Sequence, residues 1–129
     1  MKVAFNDTAT LKVAHPVTGE VIQNDGRPMT ITVYGIESKK YQQVKSAIHN
    51  KRLAHRGPMT AEKEFSYDMD LLADCTASVD NLDLGDGPIS IENIRKEYVE
   101  SKWLRDQVDM FMADRAAFLE EQEPTPTNA

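Results

Sequence analysis

The sequence predicts an α+β domain that is predominantly helical, with a small N-terminal antiparallel β meander followed by three or four helices. Up to Gly35, short β-branched stretches alternate with turn-forming residues, whereas from Ser38 onward apolar residues recur every three or four positions. At 129 residues, 40% apolar and 28% charged, the chain has the size and balance of one soluble domain. We predict a single domain over residues 1–122, with the β segment at about 9–35 and the helical part at about 38–122, and a flexible tail at 123–129.

The β segment is predicted from its turns. Short strands at Leu11–Val13, Val21–Ile22 and Thr30–Tyr34 are separated by Pro16–Gly19 and Asn24–Pro28. Those two intervals supply the Pro, Asn, Asp and Gly that tight turns require. Three short strands joined in this way form an antiparallel meander.

The first helix is predicted to follow Ser38, whose hydroxyl can cap it, and to end at Gly57-Pro58. Its apolar positions have helical spacing: Tyr41, Val44 and Ile48. Six cations lie on or just after it, with no acidic residue among them: Lys39, Lys40, Lys45, Lys51, Arg52 and Arg56.

Two further helical stretches follow before the closing segment. Thr60 can cap a second helix, whose predicted apolar stripe is Phe65, Met69, Leu72, Cys75 and Val79. The segment NLDLGDGP at Asn81–Pro88 then breaks the pattern with two glycines and a proline. Ser90 can cap the third stretch, which places Ile91, Ile94 and Tyr98 on one face.

Charge is distributed unevenly along the chain. Residues 1–58 hold 9 Lys and Arg against 4 Asp and Glu, a net charge of +5, whereas residues 59–129 hold 6 against 17, a net charge of −11. Opposite halves of this kind favour head-to-tail contacts between copies, a nucleic-acid face, or simply solvated surfaces. The six cations of the first helix are therefore candidates for electrostatic self-association. The alternative is a small nucleic-acid-binding regulator that uses the basic helix 38–57.

Enzyme chemistry has little support in the sequence. The three histidines lack metal-ligand spacing, and the single Cys75 lies in an acidic stretch that disfavours its thiolate. GxSxG, GxGxxG and P-loop motifs are all lacking, and Asn81–Glu92 fits an EF-hand loop in neither register. We predict a non-enzyme with no cofactor and no metal. The absence of a signal-like start or a long apolar run predicts a cytosolic protein with no membrane partner.

The segment WLRDQVDMFMADRAAFL, Trp103–Leu119, carries the only tryptophan of the chain. On one continuous helix its apolar residues would spread over about 180°, wider than the stripe of little over 100° that docking on a core requires. Part of this segment is therefore predicted to meet a partner. The predicted partner-binding residues are Trp103, Leu104, Met110, Phe111 and Phe118, and the flank with Trp103, Phe111 and Phe118 is predicted to face outward.

The order of these motifs resembles the tail assembly chaperones of bacteriophages with long, non-contractile tails. The resemblance runs from about Ala9 to Leu119: a β segment with a turn like HPVTGE, a junction like ITVYGIES that leads into a Tyr-containing helix, an acidic middle, and a closing block like YVESKWLRDQVDMFMADRAAFL. The closing block is its most telling part.

The resemblance implies a non-enzymatic morphogenetic protein that is made in the host cytoplasm and is absent from the mature virion. Such proteins form homo-oligomers, coat the tape measure protein during tail assembly and contact the tail tube protein. They are often also made in a longer form by ribosomal frameshifting. By the same resemblance, Trp103–Leu119 is the expected surface for the tape measure protein.

Overall fold

A computed structural model describes residues 3–120, so the predicted tail at 123–129 lies outside the described residues. The strands are β1 (Thr8–Lys12), β2 (Gln23–Asn24), β3 (Arg27–Pro28), β4 (Thr30–Tyr34) and β5 (Thr76–Asp80). The helices are α1 (Lys39–Ala54), α2 (Ala61–Asp74), α3 (Ile94–Glu100), α4 (Lys102–Ala113) and α5 (Arg115–Phe118), with a 3-10 turn at Ile91–Asn93. The prediction of an antiparallel sheet combined with helices is confirmed. Strands make up a larger share of the chain than the predicted predominantly helical fold implied.

The main sheet has the order β1-β4-β5, with both pairings antiparallel. Its third strand is β5, in a region that the sequence pattern assigned to the second helix, and that assignment was wrong. The helix ends at Asp74, and the Thr76 hydroxyl bonds back to the Leu72 carbonyl oxygen at 2.8 Å. Val79, four residues after Cys75, fits a helical stripe, but it lies opposite Ile31 in the sheet. Over so short a stretch the two periods cannot be told apart.

The predicted strand at Val21–Ile22 is not a strand of the main sheet. A small hairpin of β2 and β3 lies next to it, and all of it except Gln23 falls in the interval predicted as a turn. Asp25 and Gly26 both have positive φ, the conformation that a tight two-residue hairpin turn requires. Asn81 fixes this hairpin to the end of β5, because its side-chain amide donates to the carbonyl oxygens of Asn24 at 2.8 Å and Arg27 at 3.0 Å.

Both predicted caps of the long helices are confirmed. The Ser38 hydroxyl accepts a hydrogen bond from the Tyr41 amide, and the Thr60 hydroxyl accepts one from the Lys63 amide, each at 3.1 Å. The first helix ends at Ala54, before the predicted Gly57-Pro58. Ser90 precedes the 3-10 turn but makes no capping hydrogen bond through its side chain.

The closing segment is not one continuous helix. Extended backbone at Ser101 and Asp114 separates α3, α4 and α5, and the Asp114 carboxylate caps α5 by accepting from the Ala116 amide at 3.1 Å. The spread of about 180° assumed an unbroken helix through Leu119 and therefore does not apply. Within α4 the buried side chains are spaced four apart: Leu104, Val108 and Met112.

The junction between β4 and α1 is closed by α5. Phe118 is 2% exposed, and a Cβ atom at Gly35 would lie only 2.8 Å from its ring. The Phe118 carbonyl oxygen accepts from the Asn6 amide at 2.7 Å, and the Gly35 amide donates to the Asp7 carbonyl oxygen at 3.0 Å. Glycine is required here because the aromatic ring packs directly on the backbone.

Tyr98 of α3 ties the helical layer to the sheet. Its side chain is fully buried, and its hydroxyl lies 2.8 Å from the Thr76 hydroxyl. Because Thr76 donates its own proton to Leu72, Tyr98 is the donor in this pair. Burial raises the pKa of Tyr98 from 10.0 to about 12.

Replacing Tyr98 with phenylalanine should lower the free energy of unfolding at neutral pH by about 1 kcal/mol, since one buried hydrogen bond is lost. The raised pKa of Tyr98 adds to the free energy of unfolding. This contribution is complete below pH 10 and is lost as the pH rises towards 12. Urea unfolding between pH 10 and 12 should therefore show a shallower loss of stability in Tyr98→Phe than in the wild type. If stability fell equally steeply with pH in the two proteins, the raised pKa of Tyr98 would be contradicted.

Candidate partner-binding surface

The side of α4 opposite its buried stripe carries two apolar side chains, Trp103 and Met110. At 100° per residue, Trp103 and Met110 lie only about 20° apart, and both are about 140–160° from the centre of the buried stripe. Met110 is 74% exposed, and Trp103 is half-buried. The two side chains stand about 10 Å apart along the helix axis, which is two helical turns. We call this pair the Trp103–Met110 face.

Of the five predicted partner-binding residues, three are at least partly exposed and two are buried. The exposed ones are Trp103, Met110 and Phe111. Leu104 is 0% and Phe118 2% exposed, so both belong to the core, and in this conformation neither presents a surface to a partner. Phe111 is half-buried, with its ring centroid 5.6 Å from that of Phe118. Phe118 was expected to face outward because α4 and α5 were read as one helix. The bend at Asp114 turns it inward onto Gly35 instead.

A shallow groove of about 350 Å³ opens beside Trp103. It is lined by His15, Pro16, Ile22, Met29, Asp83, Leu84 and Trp103. These residues come from the turn after β1, the segment around the β2–β3 hairpin, the loop after β5, and the start of α4. His15 and Pro16 of the HPVTGE turn meet the only tryptophan, which is 87 positions beyond Pro16, in this groove. We call it the Trp103 groove.

Gln107 fixes one wall of the groove. Its side-chain amide accepts from the Ala14 backbone amide and donates to the Ala14 carbonyl oxygen, both at 2.8 Å. This pair of bonds holds the chain just before His15 against α4. In the sequence Gln107 is only a polar interruption of an apolar stripe. Its pairing with Ala14 depends on the fold, which brings two distant segments together.

The HPVTGE turn adds apolar surface close to the groove. The His15 ring nitrogen Nδ1 accepts from the backbone amides of Val17 at 3.1 Å and Thr18 at 3.3 Å, which orders the turn. Val17 is 86% exposed and Val21 is 39% exposed. An ordered turn that presents valine to solvent extends the apolar surface beyond the groove itself.

The six cations predicted for self-association do not form one stripe. Around the axis of α1, Lys40 and Lys51 lie on one side of the buried stripe, while Lys45 and Arg52 lie on the other. Arg52 is already paired, at 2.8 Å with Glu64 and 3.8 Å with Asp68. The remaining predicted cations are exposed and form no ion pair among residues 3–120: Lys39, Lys40, Lys45, Lys51 and Arg56.

Features that would support chemistry are sparse in the part of the chain that the structure describes. Burial, followed by the charge of Asp74, raises the pKa of Cys75 from 9.0 to about 12, so its thiolate is strongly disfavoured at neutral pH. Residues 3–120 bring together no group of three or more His, Cys, Asp or Glu side chains suited to a metal ion. None of the helices within this range has the length and apolar character needed to cross a membrane.

Comparison of the chain with protein-family models, with curated proteins and with solved structures finds no match in any of the three.

Proposed function

We propose that this protein is a non-enzymatic tail assembly chaperone that binds and coats the tape measure protein of a long-tailed bacteriophage. In this proposal it also self-associates and contacts the tail tube protein, acts in the host cytoplasm, and is left out of the mature virion. The proposal combines the sequence resemblance with one structural feature, the Trp103–Met110 face and its groove. Binding through an apolar surface requires no catalytic group.

The Trp103–Met110 face suits an amphipathic helix as partner. A helix presents its apolar side chains at positions i, i+3, i+4 and i+7, and two anchors about 10 Å apart match the i and i+7 positions of such a partner. Tryptophan is enriched among residues that dominate binding energy, and methionine adapts to partners of varied shape. Tape measure proteins, by the resemblance, are long helical proteins with apolar stripes.

The acidic half of the chain supports the same role. A chaperone that covers an apolar client must keep the complex soluble, and a net charge of −11 over residues 59–129 does so through mutual repulsion between complexes. The apolar face on α4 lies within this acidic half. The client surface would therefore be covered by a protein whose outer side is charged.

Co-production with a tape measure protein tests the proposal. The client alone is expected to be insoluble, and the chaperone should keep it soluble and co-purify with it. A client that stays insoluble, or that separates from the chain during purification, would overturn the proposed function. A DNA shift assay on the same preparation tests the nucleic-acid alternative, which predicts binding with a steep salt dependence.

A further inference from the structure

We infer that a second groove, between α2 and α4, is the docking site for the tip of the α1–α2 hairpin of a second copy of this chain. The groove has a volume of about 350 Å³, and its lining includes Phe65, Asp68, Leu71, Arg105, Asp106 and Asp109. We call it the α2–α4 groove. The inference rests on the self-association part of the proposed function and does not depend on how the client is bound.

Asp109 is the acidic residue of this groove whose charge is least compensated by its neighbours. Its partial burial raises its pKa, and the nearby carboxylates of Asp106 and Asp68 raise it further. Asp106 is paired with Lys102, and Asp68 lies 3.8 Å from Arg52, whereas Asp109 forms no ion pair within residues 3–120. A cation arriving from outside would relieve this unfavourable environment.

Arg105 lines the same groove but is engaged elsewhere. Its guanidinium group lies 4.9 Å from the centroid of the Phe65 ring and donates to the carbonyl oxygens of Tyr98 at 3.1 Å and Val99 at 3.2 Å. These contacts hold it as part of the groove wall. The groove therefore offers an unpaired carboxylate beside an apolar floor of half-buried Phe65 and Leu71.

The tip of the α1–α2 hairpin has the complementary composition. Leu53 is 72% exposed and Met59 38% exposed, so the tip presents apolar surface to solvent. Lys51 and Arg56 are exposed beside them, and neither pairs with an acidic residue of the described chain. We call these four residues the hairpin tip. Both surfaces thus combine an apolar centre with a charge, and the charges are opposite.

The tip of one molecule cannot reach the groove of the same molecule. The tip immediately precedes α2, whose side forms one wall of the groove, and Asp68 lies about 10 Å along the helix axis from Ala61, where that helix begins. A rigid helix cannot fold back onto its own side, so the contact must join two copies. Because the two surfaces differ, the contact is head to tail, and it leads to a ring if it closes and to a filament if it does not.

Two charge reversals test this contact. Asp109→Lys alters the groove, and Arg56→Glu alters the tip; each alone should weaken self-association at least about tenfold by sedimentation, because like charges are then opposed. An equimolar mixture of the two variants should associate again, since the tip of the first meets the unaltered groove of the second. Glu92→Lys, an exposed reversal on the 3-10 turn, is the matched control and should associate as the wild type does.

The inference is overturned if the wild type is monomeric at low salt, if both variants associate normally, or if their mixture does not recover. Circular dichroism of each variant checks that the fold is retained. Binding of a tape measure segment is measured alongside and should be unchanged in Asp109→Lys. A variant that no longer self-associates but binds the client normally supports the interface. A wild type that does not bind the client would count against the proposed function instead.

Discussion

Replacing Phe118 with alanine is expected to lower the free energy of unfolding by about 3–5 kcal/mol, the range for removing a buried aromatic ring from a core. The ring is 2% exposed and packs against Gly35 and against Phe111. It also anchors the end of the described chain, where residues 118–120 bond to residues 4–6 beside the sheet. Urea unfolding followed by circular dichroism measures the loss.

Gly35→Ala provides the matching test of the same contact. A methyl group at Gly35 would lie 2.8–2.9 Å from three ring atoms of Phe118, so the ring must shift, at an expected cost of about 1–3 kcal/mol. In a Phe118→Ala background the new methyl group has room, and Gly35→Ala should then cost much less. A double-mutant cycle with no coupling between the two positions would contradict the packing described here.

The second large effect concerns client binding. Trp103→Ser is expected to weaken binding of a tape measure segment by about 2 kcal/mol or more, roughly 30-fold, because a tryptophan anchor is lost. Met110→Ser should weaken binding by about 1 kcal/mol without loss of stability, since this side chain is 74% exposed. Isothermal titration calorimetry with one purified client segment measures both changes.

Val99→Ser is the control for these two variants. Val99 is 40% exposed on α3, so the change removes a similar apolar surface from outside the Trp103–Met110 face. The Val99→Ser variant should bind the client segment with the same affinity as the wild type. Equal affinity in a folded Met110→Ser variant would place the client elsewhere on the molecule, and this variant decides the point because Trp103 is half-buried and contributes to the fold as well.

The parts of the fold that depend on local chemistry could be predicted from the sequence. Ser38 and Thr60 cap helices, and Thr30–Tyr34 is a strand, because a cap or an alternating pattern is decided by neighbouring residues. The strand at Thr76–Asp80 was missed because its stability comes from pairing with β4, which is distant in sequence. Its apolar positions matched a helical period by coincidence.

The candidate site was predictable only in part for a similar reason. The composition of the closing segment drew attention to Trp103 and Met110, and the structure leaves both at least partly exposed on α4. It could not show that Asp114 caps a new helix and turns Phe118 inward. It also could not show that Gln107 holds Ala14, since that pairing spans 93 positions. Contacts of this kind depend on how the helices pack against the sheet.

The most direct test of the central claim is the fluorescence of Trp103. It is the only tryptophan in the chain, so its emission reports on the groove and on nothing else in this protein. Titration with a helical, tryptophan-free segment of a tape measure protein should shift the emission to shorter wavelength in a saturable way as water is excluded from the groove, and Met110→Ser should require a higher concentration. An emission spectrum that stays unchanged while sedimentation shows the segment bound would contradict the claim that Trp103 lies in the client-binding surface.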